Sequence, residues 1–218
     1  MTPAQDPLAP GARLFFRLDD IGPLSFKTLH LLEFFETLGS SYLLGVIPDA
    51  LNWWTRRALR TFRHAVLYQH GVRHRNAAST EAPDELPATL GLRRIQSELA
   101  RGRDSLQQAL GQPIAGYVPP WNRISEPALR TLEADGYNFL SADALYPTTL
   151  AQRPVHVDVY AQYRPVVVRS NADLQQEIDE RLVQSAPVGV VLHPLSLPSN
   201  NLSGMQDLIR RNQGRPLS

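Results

Sequence analysis

Short apolar runs alternate with stretches of helical periodicity about seven times along this chain, and that rhythm limits its fold more than any other feature. Leu14 to Leu18, Tyr42 to Ile47, Ala65 to Gln69, Ile114 to Val118, Asn138 to Ser141 and Val188 to Leu192 are expected to be strands. Val155 to Tyr160 and Val166 to Arg169 are expected to be further β segments. Helices are expected over 25–38, 50–62, 91–111 with a break near Gly102, 125–135, 172–185 and 203–211. The first of these places Leu29, Leu32, Phe34, Phe35 and Leu38 on one broad side. Such alternation in one domain gives either an open doubly wound sheet or a barrel, with parallel strands in both cases.

The length of 218 residues fits one domain. Residues 1–12 are rich in Pro and Ala and read as a loose lead-in to a domain over 13–218. With 43% hydrophobic and 20% charged residues, the composition is that of an ordinary globular protein. A net charge of +1 argues against a polyanion binder, and no nucleic-acid motif is present. No run approaches the roughly 18 apolar residues of a membrane span. The first residues have neither a basic segment nor an apolar one, so a cytoplasmic address is the expectation. Cysteine is absent, which removes a thiol nucleophile and leaves His, Asp and Glu as the side chains for any metal.

The metal-competent residues gather at strand ends. Asp19 and Asp20 follow the first strand, His70 and His74 the third, Trp121 and Asn122 the strand near 114–118, and His193 the strand at 188–192. In parallel α/β folds those carboxyl ends share one face, where the active site lies. His70 and His74 are four apart, a spacing that on a helical turn lets both rings reach one ion. With a carboxylate they make a two-His, one-carboxylate set suited to Zn²⁺, Co²⁺, Ni²⁺ or Fe²⁺. Two surface histidines on a loop is the plain alternative. Asp19-Asp20 reads either as a turn or helix cap, or as one metal ligand beside one base. Arg17 leaves the same side of its strand as Asp19. It reads either as a partner for a site carboxylate or substrate group, or as an arginine snorkelling from a strand edge.

Taken together, F-R-L-D-D-I-G (16–22), H-G-V-R-H-R-N (70–76), Y-V-P-P-W-N (117–122) and V-V-L-H-P (190–194) resemble, in order and spacing, the motifs of the polysaccharide deacetylase family, carbohydrate esterase family 4. The resemblance implies a distorted (β/α) barrel of about seven strands and a metal-dependent carbohydrate N-deacetylase. It implies Asp20, His70 and His74 as ligands of one divalent ion, zinc foremost, with Asp19 as base and His193 as acid. Trp121 would line the substrate groove, with Asn122 and Asn76 in support. The substrate implied is an N-acetylated sugar or glycan. Two positions depart from the family pattern. Val118 stands where an Arg usually pairs with the base, and Arg17 is the candidate to replace it. The motif with paired Asp near a Trp is not clear, leaving Asp143 as the nearby carboxylate to orient His193.

Two other functions compete. One is a non-catalytic carbohydrate-binding domain on the same scaffold, with Trp53, Trp54 and Trp121 stacking on sugars. The other is a metal-dependent phosphoesterase, with Arg56, Arg57, Arg60 and Arg63 holding an anion. That chemistry more often uses two metals, and the ligands here suffice for one.

Overall fold

In the computed structural model, which describes residues 13–79, 82–114, 116–163, 165–184 and 187–212, the apolar runs pair as parallel strands. The lead-in at 1–12 lies outside the described residues. In chain order the strands are β1 (Leu14–Ile21), β2 (Tyr42–Val46), β3 (Ala65–His70), β4 (Gly116–Val118), β5 (Phe139–Leu140), β6 (Ala151–Gln152), β7 (Val155–Asp158), β8 (Tyr160–Tyr163), β9 (Val166–Val168) and β10 (Val188–Leu192). Eight of them form one sheet in the order β6-β5-β4-β3-β2-β1-β10-β7. β8 and β9 form a separate antiparallel pair. The sheet has one strand more than the expected seven or so. β6 is only two residues long, too short for any apolar pattern to announce it.

Six α-helices connect the strands: α1 (Phe26–Leu38), α2 (Trp53–Leu59), α3 (Leu92–Leu110), α4 (Glu126–Ala134), α5 (Asn171–Gln184) and α6 (Leu202–Asn212). Side-chain caps fix where several begin. Ser25 accepts from Thr28 N–H, Asn52 from Thr55 N–H and Ser125 from Ala128 N–H. The expected helix over 50–62 is shorter, because a 3₁₀ turn at Pro48–Ala50 precedes the Asn52 cap. α3 runs unbroken through Gly102. A Cβ there would lie 2.4 Å from Gln69 Nε2, so this glycine lets α3 approach β3 closely and does not end the helix.

The order of the strands forces the sheet to curl. β6 and β7 are its two edges, yet only Arg153 and Pro154 separate them in the chain. The edges must therefore come together, and Val155 N–H donates to Ala142 C=O at 2.8 Å across the gap. Inside the curl, Phe15, Leu43, Tyr68, Val118, Phe139, Val155 and Val191 form one apolar cluster, one residue from each of seven strands. A filled interior of this kind belongs to a barrel. Outside, a larger cluster joins the sheet to α1, α5 and α6, and a second joins it to α3 and α4. Among the described residues, no helix is long and apolar enough to cross a membrane.

Side chains two apart on a strand share a face. Arg17 and Asp19 therefore stand above Phe15, Gly45 above Leu43, and His70 above Tyr68. The site residues form the layer directly over the apolar floor, at the carboxyl end of the barrel.

Candidate active site

Arg17 is fully buried. Its Nη2 donates to Asp19 Oδ2 at 2.7 Å and to Asn122 Oδ1 at 2.8 Å. Its Nη1 donates to the backbone carbonyl of Ser141 at 2.8 Å and to Ser141 Oγ at 3.0 Å. A buried guanidinium is costly unless its donors are matched; here four acceptors from three segments meet its two terminal nitrogens, while Nε has no partner among the described residues. Of the two readings of Arg17, the structure supports the partner of a site carboxylate. Val118, where the family pattern has an Arg, is apolar filling in the barrel floor. Asp19 is 3% exposed, and its Oδ1 has no hydrogen-bond partner among the described residues. Gly45 makes room for it, since a Cβ at that position would stand 2.9 Å from Oδ1.

Asp20 reaches the same site through a fault in the strand. Consecutive residues of a regular strand face opposite ways, and β1 extends through both aspartates to Ile21. The register with β2 shifts between Leu18 and Ile21, and Asp20 adopts a left-handed φ of 60°. Both carboxylates thereby approach one cavity. Asp20 Oδ1 lies 3.2 Å from Nε2 of His70 and 3.2 Å from Nε2 of His74. His70 Nδ1 donates to the Val118 carbonyl at 3.0 Å. A carbonyl can only accept, so in the neutral ring Nδ1 holds the proton and Nε2 is bare. His74 is brought back over His70 by two more left-handed residues, Gly71 (φ 59°) and His74 itself (φ 54°).

The three ligand atoms lie within 4.8 Å of one another. Two imidazoles and one carboxylate, with one imidazole already oriented by a backbone carbonyl, fit a divalent ion of the zinc, cobalt, nickel or iron kind. The electrostatics agree. Burial pushes the Asp20 carboxyl up, but the His70 hydrogen bond and the charges of His70, His193 and His74 outweigh it and bring it down to about 2. Burial pushes His70 down, but the hydrogen bond to Asp20 and the charges of Asp19 and Asp20 leave it raised. His74 is lowered by burial and by the charge of His70.

The rest of the cavity, about 550 Å³, is lined by Trp121, Asn122, Asp158, Val191, His193 and Ser196 beside the residues above. Trp121 and Asn122 follow β4 with φ of 53° and 56°. The Trp121 ring stands 4.6 Å from that of His74, and Asn122 hands its Oδ1 to Arg17. His193 Nε2 is 4.0 Å from Asp19 Oδ2. Tyr160 Oη donates to the His193 backbone carbonyl at 2.7 Å, and the two rings meet edge to face. Asp20, His74, Trp121 and Asn122 are all the non-glycine residues with positive φ among those described, and all four line this cavity. Each such conformation costs about 1–3 kcal/mol and persists only where surrounding structure enforces it.

Two expected residues lie elsewhere. Asn76 does not line the cavity; its Oδ1 accepts from the N–H groups of Ala78 and Asp84 and braces the loop after β3. Asp143 is exposed after β5 and does not line the cavity either. The further carboxylate in the cavity is Asp158, at the end of β7, whose register partner is Val191 on β10. The sequence signal for Asp158 was available: it ends an apolar strand, V-H-V-D, as Asp19 and His70 do. Ser141, which holds Arg17, had no such signal.

The fold is the one seen in solved structures of polysaccharide deacetylases and other family 4 carbohydrate esterases, as the four motifs led us to expect. A family 4 carbohydrate esterase from Streptomyces lividans in complex with acetate superimposes with a TM-score of 0.63 at 15% identity, covering 94% of this chain and 89% of that one. A family 4 acetyl xylan esterase from Clostridium thermocellum in complex with a cobalt ion gives 0.61 at 13% identity, covering 91% and 82%. The same fold is found in a family 4 pseudoenzyme from Bacillus anthracis, with a TM-score of 0.61 at 10% identity, covering 94% of this chain and 62% of that one. No protein-family model and no curated protein matches the chain.

Proposed function

We propose that this protein is a metal-dependent hydrolase that removes an N-acetyl group from a sugar or glycan precursor, with zinc as its ion. The observation that carries this reading is the buried Arg17–Asp19 pair, set beside an intact Asp20–His70–His74 cluster and facing His193. A site kept only for binding has no use for an oriented, buried carboxylate with one oxygen left unpartnered.

Asp20, His70 and His74 would hold the ion, which when bound supplies a Lewis acid that polarises an acyl carbonyl and acidifies water from a pKa of about 15.7 towards about 7. Arg17 fixes the Asp19 carboxylate through Oδ2, the oxygen 4.0 Å from His193 Nε2, and this carboxylate, part of the cavity wall, would be the proton acceptor for an attacking water. The water oxygen bonds to the acetamide carbon. His193 donates a proton to the amide nitrogen as the C–N bond breaks, leaving acetate and a free amine. Trp121 gives the sugar an apolar wall. Asp158 lies in the same cavity, on the strand beside the one that leads to His193.

The test is acetate release from N-acetylated amino sugars and their short oligomers by zinc- or cobalt-loaded protein. Acetate release is expected, and Asp19→Asn and His193→Ala should each lower kcat by about 10²- to 10⁴-fold. Binding of these glycans without acetate release from any of them would contradict the reading and favour a carbohydrate-binding domain on this scaffold.

A further inference from the structure

The loop that carries His74 is held from beneath by a carboxylate that the sequence reading passed over. Glu85 lies 11 residues beyond His74 and is 7% exposed. Its Oε2 accepts from Val72 N–H at 2.9 Å and its Oε1 from Arg73 N–H at 2.6 Å. These are the two peptide groups in the middle of the H-G-V-R-H turn. The turn is too tight to satisfy them within itself, because Gly71 and His74 are both left-handed. Successive N–H groups pointing into such a turn make an anion-binding nest, and here a side chain of the same molecule fills it.

Other polar groups of the turn are held from neighbouring elements. Gly71 N–H donates to Val118 C=O at 3.2 Å, and Asp49 N–H donates to Val72 C=O at 3.1 Å. The Arg73 side chain pairs outward with Asp49 at 3.1 Å and Glu98 at 2.9 Å. Gly71 is also shaped by the carboxylate: a Cβ there would fall 1.9 Å from Glu85 Oε2 and 2.5 Å from the Pro120 ring. The segment that delivers Glu85 is itself anchored. Asn76 Oδ1 ties Ala78 to Asp84, and Ser125 Oγ donates to Leu86 C=O at 2.6 Å.

We infer that Glu85 is a positioning residue: by accepting the Val72 and Arg73 N–H groups it sets the path of the turn and so places His74 Nε2 against Asp20 for metal binding. His70 needs no such help, because β3 and the Val118 carbonyl fix it. Without Glu85 two N–H donors, that of Val72 buried and that of Arg73 partly so, lose their partner, and the turn relaxes toward water with His74 at its end. The inference rests on the metal-binding part of the proposed function. Groups that orient metal ligands typically change affinity by about 10- to 100-fold when removed.

The test is zinc binding to the metal-free full-length protein by calorimetry, with thermal melting of each variant alongside. Glu85→Ala should weaken zinc binding by about 10- to 100-fold. Glu85→Gln should recover part of that, since its amide oxygen can accept from one of the two N–H groups. Leu208→Ala, a buried change in α6, serves as a control for lost stability and should leave zinc affinity unaltered. Wild-type zinc affinity in Glu85→Ala would overturn the inference, as would an equal loss in the Leu208→Ala control. If Glu85→Ala does not fold, Glu85→Gln decides alone. If the wild-type protein binds no zinc, the metal reading fails separately. The positioning claim is then judged by the NMR contact between the His70 and His74 rings, whose centres are 4.8 Å apart. Persistence of that contact in the Glu85 variants would refute it.

Discussion

At the scale of single residues, Arg17 and Asp19 form the energetic centre of the site. Each is buried, and each leaves a charge without its partner if the other is removed. Arg17→Met should therefore destabilise the protein by about 3–5 kcal/mol in a denaturant titration, whereas changing an exposed pair such as Glu126–Arg130 should cost under about 1 kcal/mol. Gly45→Ala tests the space rather than the charge. Its methyl would stand 2.9 Å from Asp19 Oδ1 and 3.4 Å from the His70 ring, so acetate release should fall much further than stability does. Asp20 gives a pH signature in the metal-free protein. Its carboxyl is lowered from 3.8 to about 2 on folding, so between those values the unfolded chain binds more protons than the folded one. Stability should therefore be lost as pH falls from about 4 towards 2, and Asp20→Asn should flatten that part of the curve. The sequence displayed these residues plainly, because Asp19-Asp20 and His70–His74 are local patterns. Arg17 was legible as a charge on an apolar strand. Asp19, two residues along the same strand face, was legible as a partner too; the other three acceptors were not, since Ser141 and Asn122 lie more than 100 residues away along the chain.

At the scale of elements, strand ends deliver the chemistry. β1 does so with a register fault that aims two neighbouring aspartates at one cavity, and β3 with a left-handed turn. The position of Asp143, outside the cavity, shows where sequence order misleads. Asp143 follows β5, which neighbours β4 and β6, whereas His193 follows β10, which neighbours β1 and β7. The carboxylate at the end of β7 is Asp158, and strand adjacency, which decides this, is not written in chain order. Asp158→Asn should lower kcat while leaving zinc affinity near wild type, as read by steady-state acetate release and calorimetry. The helices carry the scaffold. α3 buries Ile95, Leu99 and Leu106, so Leu99→Ala should cost about 2–5 kcal/mol of stability without changing the number of ions bound. Its length through Gly102 was misjudged because a glycine inside a helix usually marks an end, and here it marks close contact with Gln69.

At the scale of the molecule, the alternation of strand and helix was enough to expect parallel strands wrapped by helices, with the polar residues on one face. The closure into a barrel was not readable from that alternation. It follows from the two-residue step between β6 and β7, the edges of an eight-stranded sheet. The same curl brings Ser141 from the end of β5 over the floor to Arg17, so architecture and site depend on one another. The measurement that bears most directly on all of this is the zinc stoichiometry of purified wild-type protein and of the His70→Ala/His74→Ala double variant, after dialysis against zinc. One ion per chain in the wild type and none in the double variant is the expected result. No ion in the wild type, or an equal amount retained by the double variant, would contradict the proposed metal centre and with it the hydrolytic mechanism.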